Sequence, residues 1–159
     1  MEAGVYRRIL IPMENEQHQE PALSHARQLA QQSGATVILA WLVPVAASEE
    51  RFFSQIQVEP GSSGARRKAR GDAYLDQTVQ WFQEHGVVAE PRVMVTALPP
   101  EQAIVELADE QQADLILMAT LPESAVGRFL FGSVGEKVRR RAHVPVLFVN
   151  QPENPVASR

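Results

Sequence analysis

Residues 8–43 read RILIPMENEQHQEPALSHARQLAQQSGATVILAWLV, and the two apolar runs at its ends decide the fold. Arg8 to Met13 is short and almost continuously apolar, the pattern of a strand covered on both faces. Glu20-Pro21 opens a helical stretch: Pro21 suits the first turn, Ala22, Ala26, Leu29 and Ala30 share one face, and Gly34 fits the C-terminal cap. Ala35 to Val43 is apolar throughout and predicts a second buried strand. Strand, helix and strand make one βαβ unit, whose strands are parallel and whose crossover is right-handed.

The same alternation continues outward. The segment from Pro44 to Gly64 has no sustained period and ends in PGSSG, a turn-rich composition that predicts a mobile loop. A helix follows from about Ala65 to His85, with Leu75, Val79 and Phe82 on one face, Gly71 weakening its first half and Gly86 stopping it. Val87 to Val95 is the third strand, with Pro91 placing its beginning at an edge or an irregularity. Pro99 and Pro100 start a helix that buries Ala103, Ile104, Leu107 and Ala108. Leu115 to Met118, a helix from Ser133 to Ala142, and the strand Val144 to Val149 complete the order. The class is α/β: a single doubly wound domain, a parallel sheet with helices on both faces, spanning residues 1–150. The tail 151–159, QPENPVASR, has two prolines and little to bury, and is expected to be disordered.

Composition narrows the function. A chain of 159 residues suits one core, and a net charge of −4 leaves no electrostatic footprint for wholesale nucleic-acid binding. The absence of cysteine excludes disulfides, thiol nucleophiles and thiolate metal sites. His18, His25, His85 and His143 lack zinc-ligand spacing. The longest apolar run, Val37 to Ala47, is interrupted by Pro44 and falls short of the roughly 20 residues a bilayer requires. A cytoplasmic protein, not embedded in a membrane, is expected.

Three pieces, ILIPMENEQHQEPAL, ADLILMATLPESAVGRFLFGSVGEKV and RAHVPVLFVN, together resemble the universal stress protein family, and the order of elements from residue 6 to 150 supports the resemblance. It implies a five-stranded parallel sheet in the order 3-2-1-4-5 and a homodimer formed through the last strand, Val144 to Asn150. Members that bind ATP share a loop of pattern G-x-x-G, nine residues, then G followed by Ser or Thr. On this chain that pattern falls at Ala119, Pro122 and Gly132-Ser133, so two of the three glycines are absent. The small residue before the helix that follows the third strand is Ala97, and the family's aspartate at the end of the first strand, near the adenine, is Glu14.

A phosphate loop works because glycines let backbone N–H groups approach oxygen, and because the next helix presents unpaired N–H groups at its positive end. Pro122 has no N–H. Glu123 adds negative charge, and Leu121 offers no polar contact. Gly132, Ser133 and Val134 could still hold a phosphate, with Arg128 supplying charge, but Ser133-Val134-Gly135-Glu136 also reads as a capping box that needs no ligand. The resemblance therefore favours a non-catalytic stress-response or regulatory protein, with no cofactor, acting through dimerisation and an unknown protein client, a membrane transporter among the candidates. The alternative is a sensor that binds ATP, ADP, AMP or cyclic AMP, with or without magnesium, in the crevice between strands 1 and 4. Pro12, Met13, Glu14, Ala97, Ala119, Thr120, Arg128, Gly132, Ser133 and Val134 would then form the site.

Other features have plainer readings. ARRKAR, Ala65 to Arg70, opposes the dipole at a helix start and calls for a compensating anion or mobility. Arg139, Arg140 and Arg141 complement a helix C-terminus. Trp41 and Trp81 are packing residues, and His143 satisfies a helix end. Glu14 and Asp114 lie at opposite ends of parallel strands and should not meet. Phe131-Gly132-Ser133-Val134-Gly135 lacks the first glycine of a nucleophile elbow, and no Asp/His pair completes a triad, so no catalytic residue is nominated.

Overall fold

The computed structural model describes residues 5–14, 16, 19–46, 63–120 and 129–150, the last span without the side chains of 129–132. Leu121, Pro122, Glu123, Arg128, most of the Pro44–Gly64 segment and the tail after Asn150 lie outside the described residues. The elements run β1 (Arg8–Met13), α1 (Glu20–Ser33), β2 (Thr36–Pro44), α2 (Ser63–Glu84), β3 (Ala89–Thr96), α3 (Pro100–Glu110), β4 (Leu115–Ala119), α4 (Phe129–Arg141) and β5 (Val146–Val149). The five strands form one parallel sheet in the order β3-β2-β1-β4-β5. The register pairs Met13 with Trp41 and Trp41 with Val93.

Alternation along the central strands divides the interior in two, because successive side chains point to opposite faces. Ile9, Ile11, Met13, Val37, Leu39 and Trp41 pack with Ala22, Ala26 and Ala30 of α1 and Leu75 and Phe82 of α2. Leu10, Ile38, Ala40 and Leu42 pack with Ala103, Ile104 and Leu107 of α3 and Val138 of α4. Both faces are covered, which is why the strands read as unbroken apolar runs.

Gly71 has a structural purpose that helix propensity alone conceals. It is buried, and a Cβ placed on it would lie 2.4 Å from Cδ1 of the Trp41 indole. The missing side chain lets α2 settle directly on Trp41, whose ring also meets Tyr74 at 5.6 Å between centroids. Trp81, half-buried, packs edge-on against Phe82 at 4.9 Å. Both tryptophans are packing residues, in agreement with the sequence reading.

At the N-terminal end of the sheet, the Asp114 carboxylate accepts hydrogen bonds from the backbone N–H of Arg7 at 2.8 Å and of Arg8 at 2.9 Å, clasping the start of β1 to the approach to β4. Glu14 follows the opposite end of β1, so the two carboxylates are far from meeting.

Two expectations are corrected. The last strand starts at Val146 rather than Val144, because Pro145 cannot donate to the ladder; its carbonyl accepts from Ile116 N–H at 3.0 Å instead. The final helix begins at Phe129, one turn before Ser133, so Ser133 is an interior residue and the capping-box reading fails. Its would-be partner Glu136 is engaged by Arg139, whose Nε donates to it at 3.0 Å, and by Arg140.

Candidate functional site

In the order β3-β2-β1-β4-β5 the chain winds outward from β1 on one side, then crosses to β4 on the other. The helices after β1 and β4 cover opposite faces of the sheet, so the carboxyl ends of these two strands form its switch point, where such sheets ordinarily take their ligands in a crevice. Pro12 and Met13 end β1 fully buried, and Glu14 stands just beyond them, half-buried. Ala119 closes β4, buried, with Thr120 next. The structure thus brings Pro12, Met13, Glu14, Ala119 and Thr120 to one end of two adjacent strands.

The remaining residues are less well assembled. Ala97 follows β3, the edge strand, with β2 and β1 between it and β4. Thr120 turns to β5: its N–H donates to the Val149 carbonyl at 3.0 Å, and its hydroxyl donates to the Asn150 side-chain oxygen at 2.7 Å. Val134 packs against the core beneath α3 and α4. Gly132 and Ser133 lie fourth and fifth in α4, past the first turn in which a helix has its free N–H donors.

The electrostatics at the end of β1 come from α2, which sequence reasoning did not place at this site. Arg70 Nε donates to the Glu16 carboxylate at 2.9 Å, which holds that carboxyl below the ordinary glutamate range. Arg67 donates to the Pro44 carbonyl at 3.1 Å, at the end of β2. Lys68 pairs with Asp72 at 3.0 Å within α2. The basic run therefore finds the compensating acids its position at a helix start demands. Glu14 behaves oppositely to Glu16: burial raises its carboxyl, and the Arg67 charge only partly offsets this. The signal in the sequence was the unfavourable placement of ARRKAR itself, which asks for acids from elsewhere in the chain.

Among the described residues no cluster of three or more His, Asp or Glu side chains could hold a metal ion. No described helix is long and apolar enough to cross a membrane.

Comparison with known proteins agrees with this architecture. The sequence profile of the universal stress protein family matches residues 5–150. This chain belongs to the universal stress protein family. A universal stress protein of Methanocaldococcus jannaschii is 30% identical over 157 residues, an alignment covering 94% of this chain and 85% of that protein. Among solved structures, a universal stress protein in complex with cAMP is 26% identical, with a TM-score of 0.65, covering 92% of this chain and 98% of that one. The universal stress protein of Archaeoglobus fulgidus in complex with dAMP shares the fold at a TM-score of 0.64 and 21% identity, covering 91% of this chain and 98% of that one. Both complexes hold adenine nucleotides with a single phosphate, and the sheet order found here is the one the family resemblance implied.

Proposed function

We propose that this protein is a non-catalytic regulatory member of the universal stress protein family that acts as a homodimer on a protein client and does not hold ATP in the family's usual manner. The observation that carries the reading is the start of α4 at Phe129. A helix end cradles phosphate through its free first-turn N–H groups, and Gly132 and Ser133, the surviving half of the loop pattern, lie past that turn. The sequence of the other half points the same way: Pro122 removes a donor and Glu123 opposes a polyanion. The Thr120 hydroxyl is already bonded to Asn150. A membrane transporter is one class of client, and affinity capture from solubilised membranes tests it.

A second reading is favoured by the relatives that bind dAMP and cAMP. Loss of loop glycines weakens a triphosphate site more than an adenine site, so a nucleotide with one phosphate could occupy the crevice beside Pro12, Met13, Glu14 and Ala119. In that case Ala97, Thr120, Arg128, Gly132, Ser133 and Val134 would complete its surroundings, and magnesium would have a smaller phosphate charge to neutralise.

Thermal unfolding in the presence of ATP, ADP, AMP or cyclic AMP, each with and without magnesium, separates the readings, since a ligand of the native state raises Tm. The first reading expects no shift at millimolar concentration with any of the four. A shift confined to AMP or cyclic AMP supports the second, and a magnesium-dependent shift with ATP overturns both.

A further inference from the structure

The two helices that cover one face of the sheet do not close against each other completely. Glu20, Leu23 and Ser24 of α1 face Tyr74, Gln77, Thr78 and Trp81 of α2 across an open groove of about 310 Å³. None of these residues belongs to the strand-end crevice. The volume lies at the low end of ligand sites, about 300–1,000 Å³, and so suits a compact molecule.

The lining selects its charge. Glu20 is exposed and forms no ion pair among the described residues, whereas the neighbouring Glu16 is taken by Arg70. The Tyr74 phenol is raised, first by burial, against a lowering hydrogen bond with Thr78, and then by the negative charges of Glu16 and Glu20. The Thr78 hydroxyl donates to the Tyr74 carbonyl at 2.8 Å, so it is committed within α2 and offers no donor to an anion in the groove. Tyr74 and Trp81 present aromatic surface with a negative face. Trp81 already takes a cation within the fold: the Arg27 guanidinium lies 5.8 Å from its ring centroid. Among the described residues Glu20 has no ion-pair partner, so an anion would meet its negative charge here, and a neutral apolar molecule would leave Glu20 unanswered.

We propose that the groove between α1 and α2 binds a small organic cation, an ammonium group on a compact apolar body, with Glu20 as counter-charge and Tyr74 and Trp81 as aromatic walls. An ammonium over these rings gains from the ring quadrupole as well as from the carboxylate, and its methyl or methylene groups cover Leu23.

The test is an NMR titration of the full ¹⁵N-labelled chain with choline, set against 3,3-dimethylbutan-1-ol, its neutral isostere. Choline should give saturable shifts at the amides of residues 20–24 and 74–81 and at the Trp81 indole, with the neutral isostere about tenfold weaker. Glu20→Gln changes an exposed side chain, so the parent spectrum should persist and choline affinity should fall about fivefold. Three results would overturn the proposal: no saturable shift by about 20 mM choline, a concentration at which even small weak ligands register; equal binding of the neutral isostere; or shifts that map away from α1 and α2. Adenine nucleotides play no part in the titration, so its outcome is independent of whether the crevice binds one.

Discussion

At the end of β1, Glu14 is partly withdrawn from water, and burial lifts its carboxyl above the ordinary value of 4.5 despite the Arg67 charge nearby. A carboxyl whose folded pKa exceeds its unfolded one binds more protons when folded. The stability it lends is complete below the unfolded value and is lost as pH rises through the folded one. Glu14→Gln removes this loss, so the Tm advantage of the variant over the parent should grow between about pH 4 and pH 7; a constant or shrinking difference would refute the assignment. That Glu14 departs from the family's aspartate is legible in the sequence. Its burial and its Arg67 neighbour are not, because the contacts between the β1 end and α2 join residues some 54 positions apart, as in the Glu16–Arg70 pair. Gly71 teaches the same lesson from the other side. By propensity it weakens a helix, and alanine should gain about 1 kcal/mol. Trp41, 2% exposed, has nowhere to retreat from the new Cβ. Overpacking, at about 3 kcal/mol for so close an approach, should outweigh the propensity gain. Gly71→Ala is therefore expected to lose about 2 kcal/mol in urea unfolding.

Among the elements, those with apolar runs on both faces were legible to within a residue or two, since only buried parallel strands combine such short length with such continuity. The start of α4 was not. Ser133 and Glu136 have the spacing of a capping box, but that motif requires the serine to precede the helix and the glutamate to reach back, and here Glu136 reaches forward to Arg139 and Arg140. Local spacing could not show which of its basic neighbours would claim the carboxylate. The ladder between β1 and β4 has its own fastening. Only Ile9 and Leu10 of β1 pair with β4, at Leu115 and Ile116, and the Asp114 carboxylate binds two backbone N–H groups just before that short contact. Hydrogen bonds to a charged acceptor are worth about 1.5–3 kcal/mol. Because Asp114 is only partly buried, Asp114→Ala should cost about 1.5 kcal/mol, and amide exchange should accelerate at Arg7 and Arg8 more than at β2. A uniform acceleration across the sheet would mean that the clasp is not local.

For the whole molecule, the two open edges of the sheet differ in a way that bears on assembly. An exposed strand edge invites pairing with another chain unless charge or proline guards it. The β3 edge is guarded: Pro91 interrupts its donors, and Glu90 is held between Arg8 at 3.3 Å and Arg92 at 3.1 Å. The β5 edge, Val-Leu-Phe-Val, has neither charge nor proline within the strand, and Leu147 remains 37% exposed. Phe148 is fixed from below by α4, where Gly135 leaves room for its ring; a Cβ at that glycine would lie 2.7 Å from it. So the edge is apolar, ordered by the core behind it and, among the described residues, unguarded by charge or proline, which is what a pairing strand requires of both partners in a twofold dimer. Leu147 gives the cleanest test because it contributes little to its own chain's core. Leu147→Lys should leave the thermal unfolding of the monomer within about 0.5 kcal/mol of the parent, the usual effect of a surface change. In the dimer the same substitution would bring two like charges near the twofold axis, where they cannot be avoided. Light scattering coupled to size exclusion is expected to show a dimer for the parent and a monomer for Leu147→Lys, whereas a lysine at Val88, 63% exposed just before β3, should leave the dimer intact. If both variants remain dimeric, assembly uses a surface other than β5.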